Sequence, residues 1–440
     1  MEILIKIAQL LLSLSILVIF HEFGHFIAAR IFKVRVEKFY LFFNPWFSIF
    51  KFKYGDTEYG LGWLPLGGYV KISGMIDESL DKEQLKKDPQ PWEFRSKPAW
   101  QRLIIMLGGV TVNVILAVLI YIVMLMTWGE EYLPTGEANK YGIFCELPAR
   151  EMGLMNGDKI ISVDNHEVHD FLKITPYIVL EQARTIQVIR EGKVIDVNIP
   201  EGFISKLIKQ KEPIIWPRIP FEVGDFTKES AGKQAGIEIG DRIIGINDKE
   251  LLFYREFRDE IQNYKDEEVV LHIVRNHDTS QMVVNVPESG LIGIYRKSLD
   301  TYFEFYKKEY NLITSVPAGA RKAYLSIGNY LKSLKLLFSQ EKAYESVGGF
   351  ITIGNIFPAE WHWQSFWGLT AFLSIMLAIL NVLPIPALDG GHVLFLFYEI
   401  ITRKKPSDKF LEYAQIVGMI LLFALLIFAN GNDIIKLFNK

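Results

Sequence analysis

The residues best placed to do chemistry are His21-Glu22-Phe23-Gly24-His25, set in the apolar run Leu10–Ile31. Histidines four residues apart stand on one face of a helix, where i and i+4 are neighbours. Two imidazoles at that spacing can hold one zinc ion, and the glutamate between them can take a proton from water at the metal. Three ionisable groups are costly against lipid, so they must face a protein interior or a water-filled cavity. Chance matches to this pattern are expected on the order of 0.01 times in a chain of this length. The competing reading is a helix end at the membrane surface carrying a few solvated charges. A catalytic zinc needs a third protein ligand, which the rest of the chain must supply.

The 440 residues are 50% hydrophobic and 22% charged, with mean hydropathy +0.17. That average conceals long apolar runs and a charged, strand-rich middle, the pattern of a polytopic membrane protein with a soluble insert. A net charge of −3 and the lack of a long basic run argue against nucleic-acid binding. A single cysteine, Cys145, excludes an intramolecular disulfide and a cysteine-based zinc site, and reads as a small buried apolar residue. Met1–Phe20 has one lysine against one glutamate and no small-residue cleavage site, so it reads as a retained first span.

Four stretches approach the ~20 residues that cross ~30 Å of hydrocarbon: about Ile3–Ala28, Leu103–Trp128, Phe366–Leu388 and Tyr413–Ala429. Lysine and arginine flank the first loop (Arg30, Lys33, Arg35, Lys38, then Arg95, Lys97, Arg102) and the last (Arg403, Lys404, Lys405, Lys409). Both loops are therefore expected in the cytoplasm, with the long middle and both termini on the other side. Between the first two spans, Gly60–Met75 (GLGWLPLGGYVKISGM) reads as a hairpin. It is either a plain amphipathic one or an exposed strand edge able to pair with an extended peptide. A peptide bond inside a helix is shielded by its own turn, so a protease needs its substrate unwound. Asp77–Asp88 reads as a charged surface helix or loop. Gly108, Gly109 and Asn113 in the second span read first as helix-packing residues.

The middle repeats itself. MGLMNGDKIISVDNHEV at 152–168 and AGIEIGDRIIGINDKEL at 235–251 share a Gly-Asp-basic-Ile-Ile strand and turn, followed in each by a helical stretch and basic strands. Two small α+β domains follow, with Phe203–Pro220 as linker, and His166, His169, His272 and His277 as solvated surface residues. Beyond them, Phe303–Leu337 is amphipathic and suits a membrane surface. Ser346–Asn355 suits a tight or re-entrant turn. Trp361, Trp363 and Trp367 suit an interfacial belt.

The third ligand is sought in NVLPIPALDGGH at 381–392. Pro384 and Pro386 cannot sit in an undisturbed helix, so the backbone opens there. Asp389 follows in apolar surroundings, and a buried carboxylate needs a compensating partner such as a metal ion. His21, His25, Asp389 and one water would make an open four-coordinate site. The alternatives for Asp389 and His392 are a helix cap and a fourth ligand respectively, the latter closing the site to water. Asn381 is a candidate clamp on a substrate backbone.

The two repeats resemble PDZ domains, which bind peptides by strand addition. HEFGH, LPLGGYVKISGM, the tandem repeats and NVLPIPALDGGH together resemble the site-2 protease family, closest to its bacterial RseP-like branch. The resemblance implies a zinc-dependent intramembrane endopeptidase of the bacterial inner membrane. Its substrates would be single-pass proteins, notably anti-sigma factors already cut by an upstream protease, and remnant signal peptides. Carried onto this chain, the zinc ligands are His21, His25 and Asp389, and the general base is Glu22. The resemblance also matches Asn381 with Pro384 to a substrate-contacting pair, and the segment holding Gly67, Gly68, Tyr69, Val70 and Lys71 to a membrane re-entrant β-loop. Gly109-Val110 stands where the family has Gly-Pro ahead of Asn113.

The expected layout is a membrane core of about four helices in two halves, 1–130 and 365–440. PDZ-like domains occupy 131–205 and 206–300, and a membrane-surface segment occupies 301–364. Two other readings stay open: a membrane zinc protease acting on soluble segments, and a non-catalytic PDZ-bearing scaffold.

Overall fold

The computed structural model describes residues 1–75, 88–209, 213–339 and 347–438. The stretch Asp77–Asp88 lies outside them except for its last residue. Two compact units emerge: Met1–Gly129 with Glu309–Lys335 and Tyr344–Lys440, and Glu130–Lys308 with Leu336–Ala343.

The first unit contains α1 (Glu2–Ile31), α2 (Ala99–Trp128), α3 (Leu312–Ser339), α4 (Phe350–Ile356), α5 (Trp363–Val382), α6 (Asp389–Thr402) and α7 (Asp408–Phe438). Of these α1, α2, α5 and α7 are long and apolar enough to cross a membrane. At 1.5 Å per residue the 20-residue α5 spans about 30 Å, and α1 and α2 exceed that. Their ends follow from local chemistry. Pro98 precedes α2, where a missing N–H costs nothing, and Gly129 ends it with φ +69°. His362 caps α5 by accepting from Ser365 N–H, and α5 stops two residues before Pro384. The third apolar stretch is thus one helix followed by an open segment, as its prolines require, and α6 begins just beyond it.

Along α1, Gln9, Leu10, Ser13, Leu17, His21, Gly24, His25 and Ala28 form one buried stripe. Ile3, Leu4, Leu11, Ile19, Phe23 and Ile27 on its other faces are exposed, as expected for a helix that meets lipid. Lipid gives no hydrophobic drive to helix pairing, so close packing must do that work. Gly24 and Gly108 meet backbone to backbone between α1 and α2. An apolar core of Leu10, Leu17, Ile120, Phe366 and Ile375 lies on one side of the motif. A second, of Ala29, Val34, Val36, Ile72, Ile105 and Met106, lies on the other.

After α1 the chain turns into β1 (Val36–Tyr54) and pairs with β2 (Thr57–Ile72). Both strands bend on themselves. Residues 38–41 of β1 pair with 68–71 of β2 on one side and with 58–61 on the other, while 50–54 pair with 57–61. Segment 68–72 is therefore an edge, and among the described residues no further strand pairs with it.

The second unit contains two copies of one plan. A strand Lys159–Val163, helix Ile174–Glu181 and strands Thr185–Arg190 and Lys193–Asn198 are matched by Arg242–Ile246, Tyr254–Ile261, Glu268–Arg275 and Asp278–Asn285. The repeated Gly-Asp has a structural reason. Asp158 pairs with Arg190 at 2.8 Å and accepts from Met155 N–H, and Asp241 pairs with Arg275 at 2.6 Å and accepts from Glu238 N–H. Each arginine also donates to a glycine carbonyl, Gly153 or Gly236.

The expectation of a linker at Phe203–Pro220 does not hold. Phe203–Lys209 is a helix, Ile215–Pro217 pairs with Ile143–Cys145, and Ile204, Leu207, Ile214, Ile215 and Ile219 sit in the core of the first copy. Its described isoleucines at 204, 214, 215 and 219 all point into that core. Tyr302 and Phe303 also enter that core, and Tyr306–Lys308 pairs with Glu130–Tyr132. The compact unit therefore runs past the expected boundary at 300. His166, His169 and His277 are exposed, whereas His272 is half-buried and bonded to the Asn247 carbonyl at 2.7 Å.

Candidate metal centre

Three elements converge at the level where the two cores of the first unit part. The stripe of α1 carries His21 and His25, whose rings meet edge to face at 4.9 Å between centroids. Residues 383–388 run from α5 to α6 through turns closed by Ile385 N–H to the Leu383 carbonyl and Leu388 N–H to the Ile385 carbonyl. Ala387 has φ +88°, a costly backbone state for a side chain with a Cβ. The turn delivers Asp389 as the first residue of α6. Gly390 and Gly391 lie so close to the carbonyls of Val382, Leu383 and Ile385 that larger residues would force the turn open.

His21 Nε2, His25 Nε2 and Asp389 Oδ2 form a nearly equilateral triangle with sides of 3.2, 3.3 and 3.3 Å. Ligands about 2.0–2.1 Å from a tetrahedral zinc lie about 3.3–3.4 Å apart, so these atoms outline one face of such a tetrahedron. The protonation pattern also fits a cation. His25 Nδ1 lies 2.9 Å from the Ile105 carbonyl and must donate to it, which in the neutral imidazole leaves Nε2 as a bare lone pair. Among the described residues Asp389 Oδ2 is buried with no hydrogen bond. Lone pairs converging in this way repel unless a positive charge sits among them. Among the described residues this is the one such trio of His, Cys, Asp or Glu, and His392 is not part of it.

Gly109 of α2 closes the far side. A Cβ there would stand 2.5 Å from His25 Nε2 and 2.7 Å from His21 Cε1. Asn113, fully buried, lies one turn on, with its amide 3.2 Å from His21 Nδ1. Its Oδ1 has no partner among the described residues. Turned by 180°, the amide offers that oxygen to the Nδ1–H and gives His21 the same bare Nε2 as His25. Read from sequence as packing residues, Gly109 and Asn113 thus also touch the imidazoles. Gly109-Val110 in place of Gly-Pro leaves that contact intact.

A cavity of about 580 Å³ opens on the triangle and is lined by Glu22, Asn381, His392, Gln415 and the strand edge from Gly67 to Ile72. Glu22 is half-buried, beside but outside the triangle, and the Val70 backbone amide faces its carboxylate. Gly68 permits this approach, since a Cβ there would press on Val18 and on the Tyr40 carbonyl and reach within 3.7 Å of Glu22. The Asn381 amide lies 3.3 Å from His21 Nε2. Tyr69 and Lys71 line the same wall, with the Tyr69 hydroxyl bonded to Asn44 and Lys71 paired with Glu37. Pro384 is exposed and lies off the cavity wall. Gln415 of α7 was not singled out in the sequence. A lone amide within an apolar span was the signal available for it.

The model of peptidase family M50 matches residues 9–425. The chain is 27% identical to Protease RseP of Yersinia pestis and to Regulator of sigma E protease of Haemophilus influenzae, with 99% of this chain and 100% of each relative aligned. The same identity and coverage relate it to a Vibrio cholerae protein whose name describes a zinc metalloprotease. With the match reaching from within α1 into α7, the chain belongs to peptidase family M50, the site-2 proteases.

Proposed function

We propose that this protein is a zinc-dependent endopeptidase that cuts the membrane-spanning segments of single-pass proteins, as its relatives' names suggest for a pathway that regulates sigma factors. The observation that carries the reading is the triangle of converging ligand atoms, with the Glu22 carboxylate and a strand edge that no further strand among the described residues covers, on the same cavity. His21, His25 and Asp389 hold the Zn2+. When bound, zinc polarises a carbonyl and acidifies water. Glu22 accepts a proton from the attacking water and delivers it to the departing amine nitrogen. The edge from Gly67 to Lys71 pairs with the substrate main chain once its helix has opened, and Asn381 holds it from the α5 side, with Pro384 keeping the α5–α6 turn open. A set of groups this complete speaks against a scaffold without catalysis.

The finer reading concerns surroundings and partners. The enzyme sits in a bacterial inner membrane, its insert and both termini on the extracytoplasmic side. The two copies in the insert are PDZ-like domains that exclude bulky ectodomains or recognise chains trimmed by an upstream protease. Its substrates are anti-sigma factors after that first cut, and remnant signal peptides.

The test is cleavage of a tagged single-pass substrate lacking its ectodomain, by purified wild type and Glu22→Gln, with zinc measured in both. Wild type alone should cut, and both should hold zinc. If neither cuts any of several substrates while both hold zinc, the protease reading fails.

A further inference from the structure

Gln415 is a buried amide, 4% exposed, in the least buried of the four apolar helices. Its setting is unusual because intramembrane polar groups ordinarily bond to a neighbouring helix. Gln9 bonds to the Pro358 carbonyl, Thr370 to Ser13, and Ser374 to the Asn113 carbonyl. Gln415 makes no such bond among the described residues. Nor are its amide atoms sealed in protein; the space beside them is the cavity that holds the triangle. One turn further along α7, Gly418 lies against Pro386 so tightly that no larger residue fits. That contact fixes the height and rotation of Gln415 at the α5–α6 turn.

An extended peptide in this cavity has two edges of amides and carbonyls. The edge of β2 can meet one; among the described residues no strand is available for the other, and water is scarce within a membrane. A carboxamide carries both a donor and an acceptor, so one glutamine can satisfy an N–H and a carbonyl of the same main chain.

We propose that Gln415 is a substrate-binding residue whose carboxamide hydrogen-bonds the main chain of the bound segment on the edge that β2 leaves unpaired. This rests on the protease reading above and adds a contact from a third wall of the site. Because the contact is to main chain, it is indifferent to substrate side chains.

Two measurements test it on the full-length protein. In the first, cleavage kinetics compare wild type with Gln415→Met, close in shape but without the amide, on three substrates of differing sequence. KM should rise about tenfold on all three, the effect of one lost hydrogen bond, with kcat nearly unchanged and zinc content and melting temperature as in wild type. Unchanged KM, a rise on one substrate only, or loss of zinc overturns the proposal. In the second, Gln415→Cys is combined with Glu22→Gln, and single cysteines are walked along a substrate. The protein's own Cys145 is buried. Disulfides at alternate substrate positions support an extended chain beside Gln415, and no crosslink at any position refutes the contact. Failure of the protease reading looks different, because wild type itself then cuts nothing.

Discussion

His25 and His21 are made equivalent by different means. A carbonyl of α2 accepts from one, and the side chain of Asn113 serves the other. The second arrangement can be tested. Asn113→Leu should weaken zinc binding by about 10–100-fold, the usual effect of losing a partner behind a metal ligand, while Asn113→Asp should retain most of it. Competition with a chelator reads this directly, and equal affinities would return Asn113 to a packing role. At this scale much of the site was legible. The i,i+4 histidines and the glutamate between them can be recognised from helix geometry alone, and Asp389 from the cost of a carboxylate among apolar residues. The reach of Gly109 and Asn113 was hidden. A glycine that makes room for an imidazole on another helix has the same local sequence as one that makes room for a backbone.

The elements tell the same story. The four apolar helices and the strands after each Gly-Asp follow from hydrophobic runs and alternation, which are local. The order of the segments within β1 and β2 does not, since it depends on which parts of two long strands meet after both have folded back. Likewise Phe203–Pro220 looked like a linker because prolines are visible one at a time, whereas Ile215 finds its strand partner, Cys145, about seventy residues away. The paired Asp–Arg contacts of the insert yield a pH prediction. Burial alone would raise the Asp241 carboxyl, but bonds from Arg275 and from Glu238 N–H hold it below the usual carboxylate range. A carboxylate depressed by folding stabilises fully above its unfolded value, about pH 4, and the contribution fades as pH falls through the lower folded value. Asp241→Asn should cost roughly 2 kcal/mol at neutral pH, and the gap from wild type should narrow below pH 4. Urea melts of the insert's fluorescence at several pH values check this; a gap independent of pH would show that the charge is not what stabilises.

For the whole molecule, the decisive fact is where the insert begins and ends. Lys308 pairs with Glu130 and Tyr306 with Tyr132, so the chain leaves and re-enters the first unit at neighbouring points, with the Cα atoms of such pairs about 5 Å apart. Every residue of the triangle and its cavity belongs to the first unit. Replacing 130–308 by a short Gly-Ser linker should therefore preserve zinc binding and cleavage of pre-trimmed substrates. On the filter reading, it should also allow substrates with intact ectodomains to be cut. Full-length substrates that stay uncut would assign the insert to recognition instead.

Among the described residues no further strand covers the edge at 68–72, and on the protease reading a substrate's main chain takes that place. Amides and carbonyls are common to all residues, so a site that grips only these has no alphabet with which to spell a preferred sequence. What remains to separate one membrane segment from another is the work of melting its helix. Glycine in a helix costs about 1 kcal/mol relative to alanine, and proline about 3, so a few such residues change the accessible population by orders of magnitude. Such an enzyme would rank its substrates by fragility rather than by identity.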